Sequence, residues 1–125
     1  MNKVLFSILL ILITSAVAAQ AIGHVVKKTK EFYIPSDLKV EYRFFGYEMP
    51  NTSSQKMICF SSYRGDVNDN YTKCPLGSYY DTGRMHPGDK ISLIKEVNGF
   101  GRMLYVSAKG KKSIFYIQKS NYQVK

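Results

Sequence analysis

Residues 88–119, GDKISLIKEVNGFGRMLYVSAKGKKSIFYIQK, read as three successive β-strands joined by two tight turns. Ile91, Leu93 and Val97 fall on one face of the first strand, by the two-residue period of a pleated chain. Asn98-Gly99 follows at once, a pair that accepts positive φ at both central turn positions and so marks a hairpin. Residues 103–106 resume the strand, Lys109-Gly110-Lys111 turns it again, and residues 114–117 return. The stretch predicts a sheet with a basic rim and places no catalytic residue in it.

Working outward, Leu38, Val40, Tyr42 and Phe44 alternate with Lys39, Glu41 and Arg43, which predicts a strand over 38–45. Pro35-Ser36-Asp37 separates it from a shorter strand at 31–34. Residues 48–55 hold Pro50, Asn51, Thr52 and Ser53 and read as an exposed loop, whereas 56–63 are apolar and β-prone. Residues 64–73 are polar and form a loop tip, and the glycines and prolines of 75–88 leave room only for a short strand around 78–81. With no amphipathic helical pattern beyond residue 21, the fold class is all-β: a small antiparallel barrel or sandwich.

The chain of 125 residues opens with the pattern of an export signal. Lys3 precedes an apolar run over 4–13, and Ala19-Gln20-Ala21 fits the small-x-small rule of a signal peptidase. Cleavage after Ala21 is the first choice, with Ala18 and Ala19 as alternative ends. An uncleaved anchor is the competing reading, but the run is shorter than the roughly 20 apolar residues that a bilayer span needs. The expected organisation is therefore a signal peptide over 1–21, a lead-in without structure over 22–30, and one β-rich domain over 31–125. No stable membrane insertion is expected after cleavage, and the product is periplasmic or secreted.

Formal net charge is +9. The excess is uneven: residues 22–80 carry eight basic and six acidic side chains, and residues 81–125 carry nine and three. A field of this sign attracts anionic partners. In an exported protein those are a protein surface or an anionic cell-envelope polymer rather than nucleic acid. Cys59 and Cys74 are the only cysteines. Export favours a disulfide between them, and closing their fourteen-residue loop is worth roughly 3 kcal/mol in the chain-entropy model. They form no C-x-x-C redox pair, and two thiols without neighbouring histidines make a poor zinc site. A structural bridge is the expectation.

Pro87-Gly88-Asp89-Lys90-Ile91, Asn98-Gly99-Phe100, Leu104-Tyr105-Val106, Gly110-Lys111-Lys112 and Phe115-Tyr116-Ile117 resemble the second half of a bacterial SH3-like module. The likeness spans residues 87–124, and Phe100 stands where that family usually has a Trp. It implies a small barrel that binds cell-wall or protein ligands and has no enzymatic activity.

The residues themselves also argue against catalysis. His24 lies in the lead-in and His86 in a turn, Ser61 and Ser62 lack the glycines of a nucleophile elbow, and Asp66 and Asp69 are too few for a calcium loop. No cofactor or metal is expected. Two functional readings remain. The first is a small exported binding domain, of an inhibitor, immunity-type or cell-wall-binding kind. Its candidate surface is Arg102, Lys109, Lys111, Lys112, Tyr105 and Tyr116, which combine cations with ring surface. The competing reading takes the aromatics as core and the lysines as a solvated edge against strand-to-strand association. The alternative is a host-directed adhesive ligand acting through Arg64-Gly65-Asp66, an integrin-type tripeptide on the predicted Cys59–Cys74 loop. The sequons at Asn51 and Asn70 read as ordinary turn residues. N-terminal sequencing of the exported protein should begin at Ile22; a chain that starts at Met1 restores the anchor.

Overall fold

A computed structural model describes residues 21–63, 65–66, 73–80 and 88–125, apart from the side chains of Tyr79 and Tyr80. Residues 1–20 of the expected signal peptide thus lie outside the described residues, as do Arg64, residues 67–72 and His86.

The strands are β1 (Gly23–Val25), β2 (Phe32–Tyr33), β3 (Arg43–Tyr47), β4 (Lys56–Ser61), β5 (Ser78–Tyr80), β6 (Lys90–Val97), β7 (Phe100–Val106) and β8 (Lys112–Gln118). A single 3-10 turn, Lys119–Asn121, leads into β9 (Tyr122–Val124). They form a six-stranded sheet in the order β5-β4-β3-β8-β7-β6 and a three-stranded sheet in the order β2-β1-β9. One antiparallel bridge, Glu31 to Ser92, joins the β2 side of the small sheet to β6, and the Leu93 N–H donates to the Lys30 carbonyl at 2.8 Å. The all-β expectation holds.

The hairpin signal was sound. Val97 pairs with Phe100 across Asn98 (φ 50°) and Gly99 (φ 82°), both in the left-handed region. Gly110, at φ 87°, makes the next turn, where its N–H donates to the Ser107 carbonyl. Asp89 locks the two ends of this meander together. One carboxylate oxygen accepts from the Tyr105 hydroxyl at 2.8 Å, and the other accepts from the Ala108 N–H at 2.9 Å.

Strand alternation divides the large sheet into two faces. Phe44, Ile58, Phe60, Met103, Phe115 and Ile117 point inward, where Val25, Phe32, Ile34 and Tyr122 meet them. Phe60 is fully buried and stacks on Phe44 at 5.0 Å, with Phe32 edge-on at 5.5 Å and Phe115 at 6.1 Å. Close approach is needed at two inward glycines. A Cβ at Gly46 would clash with Phe115 and lie 2.6 Å from Ile58 Cγ2, and one at Gly101 would run into the Tyr122 ring.

Several expectations are corrected. Ile91 and Leu93 face inward opposite Tyr105 and Met103, but Val97 does not join them. A bulge between Leu93 and Lys95 inserts Ile94, so Lys95 faces outward opposite Arg102 and Val97 follows opposite Phe100. The strand read at 38–45 begins only at Arg43. Before it, the Tyr42 N–H donates to Ser62 Oγ, so a side chain takes the place of a ladder partner, and Val40 is exposed. Residues 22–30 are no structureless lead-in. They contain β1, flanked by β2 and β9, with Ile22 and Val25 buried. Nor is the sheet purely antiparallel, because β1–β9 and β4–β5 run parallel.

The predicted disulfide is also corrected. Cys59 and Cys74 are both buried but are not joined by a disulfide. The loop between them is closed by backbone pairing: Leu76 N–H donates to the Met57 carbonyl at 2.8 Å and Cys59 N–H to the Gly77 carbonyl at 3.1 Å. β5 then continues alongside β4, with Cys59 opposite Ser78.

Gly101→Ala should destabilise the fold by about 1–3 kcal/mol, the usual range for overpacking, as read from the urea midpoint. Its neighbour gives a pH signature. The Tyr122 hydroxyl donates to Glu96 at 2.9 Å, and burial together with that bond raises its pKa. Burial and Asp89 likewise push the Tyr105 phenol up to about 12. Both neutral phenols are favoured by folding. Their contribution is complete below the unfolded value of about 10 and is lost as pH climbs through the raised values. Urea midpoints should fall above about pH 10, and less steeply in a Tyr122→Phe variant.

Candidate functional site

The outer face of the large sheet carries an uninterrupted row of side chains. Cross-strand pairing sets Lys95 of β6 opposite Arg102 of β7, Arg102 opposite Tyr116 of β8, Tyr116 opposite Tyr47 of β3, and Tyr47 opposite Lys56 of β4. Directly paired residues lie on one side of a sheet, so five strands present Lys-Arg-Tyr-Tyr-Lys in a line. None of the five positions is acidic.

Rings thicken the row. Tyr47 meets Phe100 edge-on at 6.3 Å and Phe45 at 6.3 Å, and Lys56 Nζ sits 4.3 Å from the centre of the Phe45 ring, a cation–π contact. Tyr47 and Phe100 are buried, yet neither belongs to the inner core. Burial raises the Tyr47 pKa, so its phenol stays neutral over the working range of pH. Arg102 is the polar centre. Its Nε is buried and has no hydrogen-bond partner among the described residues.

The structure divides the six predicted binding residues into three groups. Arg102 and Tyr116 are direct neighbours in the row. Lys109, Lys111 and Lys112 are exposed at the β7–β8 turn, and Lys112 pairs with Val106, four residues along the strand from Arg102 and so roughly 13 Å away. Tyr105 belongs to neither group. It is buried on the inner face, held by Asp89, because its position on β7 has the opposite parity from Arg102. Sequence reasoning missed Tyr47, Phe45, Lys56 and Lys95. The first three lie on β3 and β4, more than forty residues before β7, and Lys95 was masked by the bulge at Ile94. A signal for them existed in β3, where Phe45 and Tyr47 form a second aromatic set out of phase with Phe44.

Of the other candidate, Arg64-Gly65-Asp66, Arg64 lies outside the described residues, Gly65 is exposed and Asp66 is not displayed. Asp66 is 2% exposed. Its carboxylate accepts two hydrogen bonds from Arg43, at 2.7 Å from Nε and 3.1 Å from Nη2, and a third from Ser61 Oγ at 2.5 Å. Ser61 Oγ in turn accepts from the Tyr63 N–H, and the Arg43 guanidinium lies 4.9 Å from the centre of the Tyr63 ring. Burial alone would raise the Asp66 pKa, but the Arg43 and Ser61 hydrogen bonds and the Arg43 charge outweigh it and hold the carboxyl below its usual value. The Ser61 hydroxyl is likewise committed and is no nucleophile poised beside a base. The His24 ring lies tilted against Tyr33 at 5.5 Å, and burial and Lys125 lower its pKa despite Asp37.

Among the described residues, no cluster of three or more His, Cys, Asp or Glu could hold a metal, and no helix is long and apolar enough to cross a membrane. A groove beside the Glu31–Ser92 bridge is lined by Thr29, Glu31, Lys90, Ile91, Ser92 and Val106. Compared with known proteins, the chain matches no family model, no curated protein and no solved structure.

The Asp66 contacts predict acid sensitivity. A carboxyl whose pKa is depressed by folding adds stability above the unfolded value of about 4, and this is lost as pH falls through the lower folded value. Urea midpoints should drop below about pH 4, and an Asp66→Asn variant should start lower at neutral pH with a flatter acid limb.

Proposed function

We propose that this chain is a small exported, non-enzymatic binding domain that engages an anionic partner, either an acidic protein or a polymer of the cell envelope. The observation that carries this reading is the outer sheet face, where aromatic rings and cations share one surface outside the core. A sheet needs only one apolar face to fold, so rings kept on the second face call for another role. The excess positive charge of residues 81–125 supports the same reading, since six of its nine cations (Lys90, Lys95, Arg102, Lys109, Lys111 and Lys112) lie on the β6–β8 meander. The resemblance to bacterial SH3-like modules rests on the residues of 87–124. Export rests on the residue pattern of 1–21.

The adhesive reading through Arg64-Gly65-Asp66 has less support. Receptor contact by Asp66 would require its carboxylate to leave Arg43 and Ser61 and come to the surface.

The test uses heparin beads as a generic polyanion and purified cell-wall polymer as the envelope probe. Retention should be strong at low salt and fall steeply as salt rises. Changing Lys109, Lys111 and Lys112 together to Gln should weaken it more than any single change, because one turn holds the three within about a Debye length of 8 Å. Stability should shift by no more than about 0.5 kcal/mol, since the three are exposed. Retention that ignores salt overturns the reading; a triple variant that binds as well as the parent removes the turn lysines from the surface and leaves the outer row.

A further inference from the structure

We infer that the Lys95–Arg102–Tyr116–Tyr47–Lys56 row is a docking surface for an extended acidic segment of a partner protein, laid across the strands with Arg102 as its anchor. This rests on the proposed binding function and names the site and the partner chemistry.

Three observations lead there. The first is charge. The row holds three cations, and no acidic side chain is paired into it. The second is Arg102 Nε, buried with its hydrogen-bonding capacity unused among the described residues. A guanidinium presents Nε–H and Nη–H in parallel to a carboxylate, a two-point match that a lysine cannot make. A carboxylate that reaches it would satisfy a buried donor that has no acceptor among the described residues. The third is composition. Arg and Tyr backed by Phe are the residues over-represented at the centres of protein interfaces and among the side chains that dominate their affinity.

Spacing specifies the segment. Strands lie about 4.8 Å apart, so Arg102 to Lys56, three steps across the sheet, spans roughly 14 Å. An extended chain advances about 3.3 Å per residue and turns every second side chain to the same face, so positions i and i+4 lie roughly 13 Å apart on one face. The matching pattern is acid, any, apolar, any, acid: the first acid on Arg102 and Lys95, the apolar side chain over Tyr116 and Tyr47, and the second acid on Lys56.

The experiment is selection of a random-peptide phage library on the full-length protein. Affinities of recovered peptides are then measured by fluorescence anisotropy for the parent and for Arg102→Gln, Arg102→Lys and the Lys56→Gln/Lys95→Gln pair. Recovered peptides should carry two acids flanking an apolar residue at this spacing. Their affinity should fall on the order of tenfold or more with Arg102→Gln, by less with Arg102→Lys, and about two- to threefold or more with the lysine pair. The Lys109/Lys111/Lys112→Gln variant should bind these peptides within about twofold of the parent. The lysine pair keeps the test decisive should Arg102→Gln unfold, because both lysines are exposed. No enrichment, enrichment of peptides without acids, or affinity indifferent to these variants overturns the inference. Heparin, or vesicles of phosphatidylglycerol, bound through Arg102 in place of peptide also overturns it. In that case salt-dependent capture by the turn lysines still stands, so failure of this site and failure of the general binding reading are separate results.

Discussion

The fold depends on Phe60. Its ring, near the end of β4, is fully buried, with Phe44 stacked on it, Phe32 edge-on and Phe115 tilted against it. Phe44 and Phe115 come from neighbouring strands of the same sheet, but Phe32 comes from the small sheet. One aromatic cluster therefore does two jobs: it fills the inner face of the large sheet and fastens the small sheet over it. The rings need room, which Gly46 provides by lacking the Cβ that would collide with Phe115. A second clasp works in the same way. Tyr122 enters over Gly101 and donates to Glu96, which brings β9 into place beside β1. The Glu96 carboxyl is held low by that hydroxyl and by Lys119 at 3.2 Å, so the clasp also fixes a charge.

With the inner face so occupied, polar chemistry is pushed to the outer side of β3 and β4. There the chain uses two strategies. Near the start of β3, Arg43, Ser61 and Asp66 satisfy one another, and the loop after β4 is folded back to bury the carboxylate. Toward the end of β3 and across β8 and β7, the cations have no acidic partner in the row and lie beside rings. In the first cluster the buried carboxylate of Asp66 is held by its own neighbours, Arg43 and Ser61. The second keeps the Arg102 Nε–H without an acceptor among the described residues. That contrast, rather than the total charge, separates the Arg43–Asp66 ion pair from the row proposed as a docking surface.

Loop closure shows a comparable substitution. Two cysteines in an exported chain argue for a covalent bridge on general grounds. Here parallel pairing of β5 with β4 holds the ends of the same loop together, and the thiols contribute as small buried groups. Loop-closure entropy has to be offset by some contact, and a short ladder can supply it as a disulfide would.

Local chemistry made much of the chain legible. Asn98-Gly99 specifies a two-residue turn because both residues accept positive φ, and Gly110 specifies the next; the β6–β7–β8 meander follows from those turns and from β-prone runs between them. The short strands at 32–33 and 78–80 are marked by the prolines and glycines around them. What the sequence alone could not show is anything that depends on partners far along the chain. A three-residue strand such as β1 has no period to read and exists because β2 and β9 flank it. The bulge at Ile94 reverses which face Val97 and Lys95 occupy, since one extra residue shifts a period of two by half. Arg64-Gly65-Asp66 reads as a displayed motif until Arg43, twenty-three residues away from Asp66, takes its carboxylate. The outer row joins residues from five strands, and strand order is set by how two sheets bury their inner faces against each other. Composition determined that this surface would be basic and aromatic; only tertiary packing decided which rings and which cations share it.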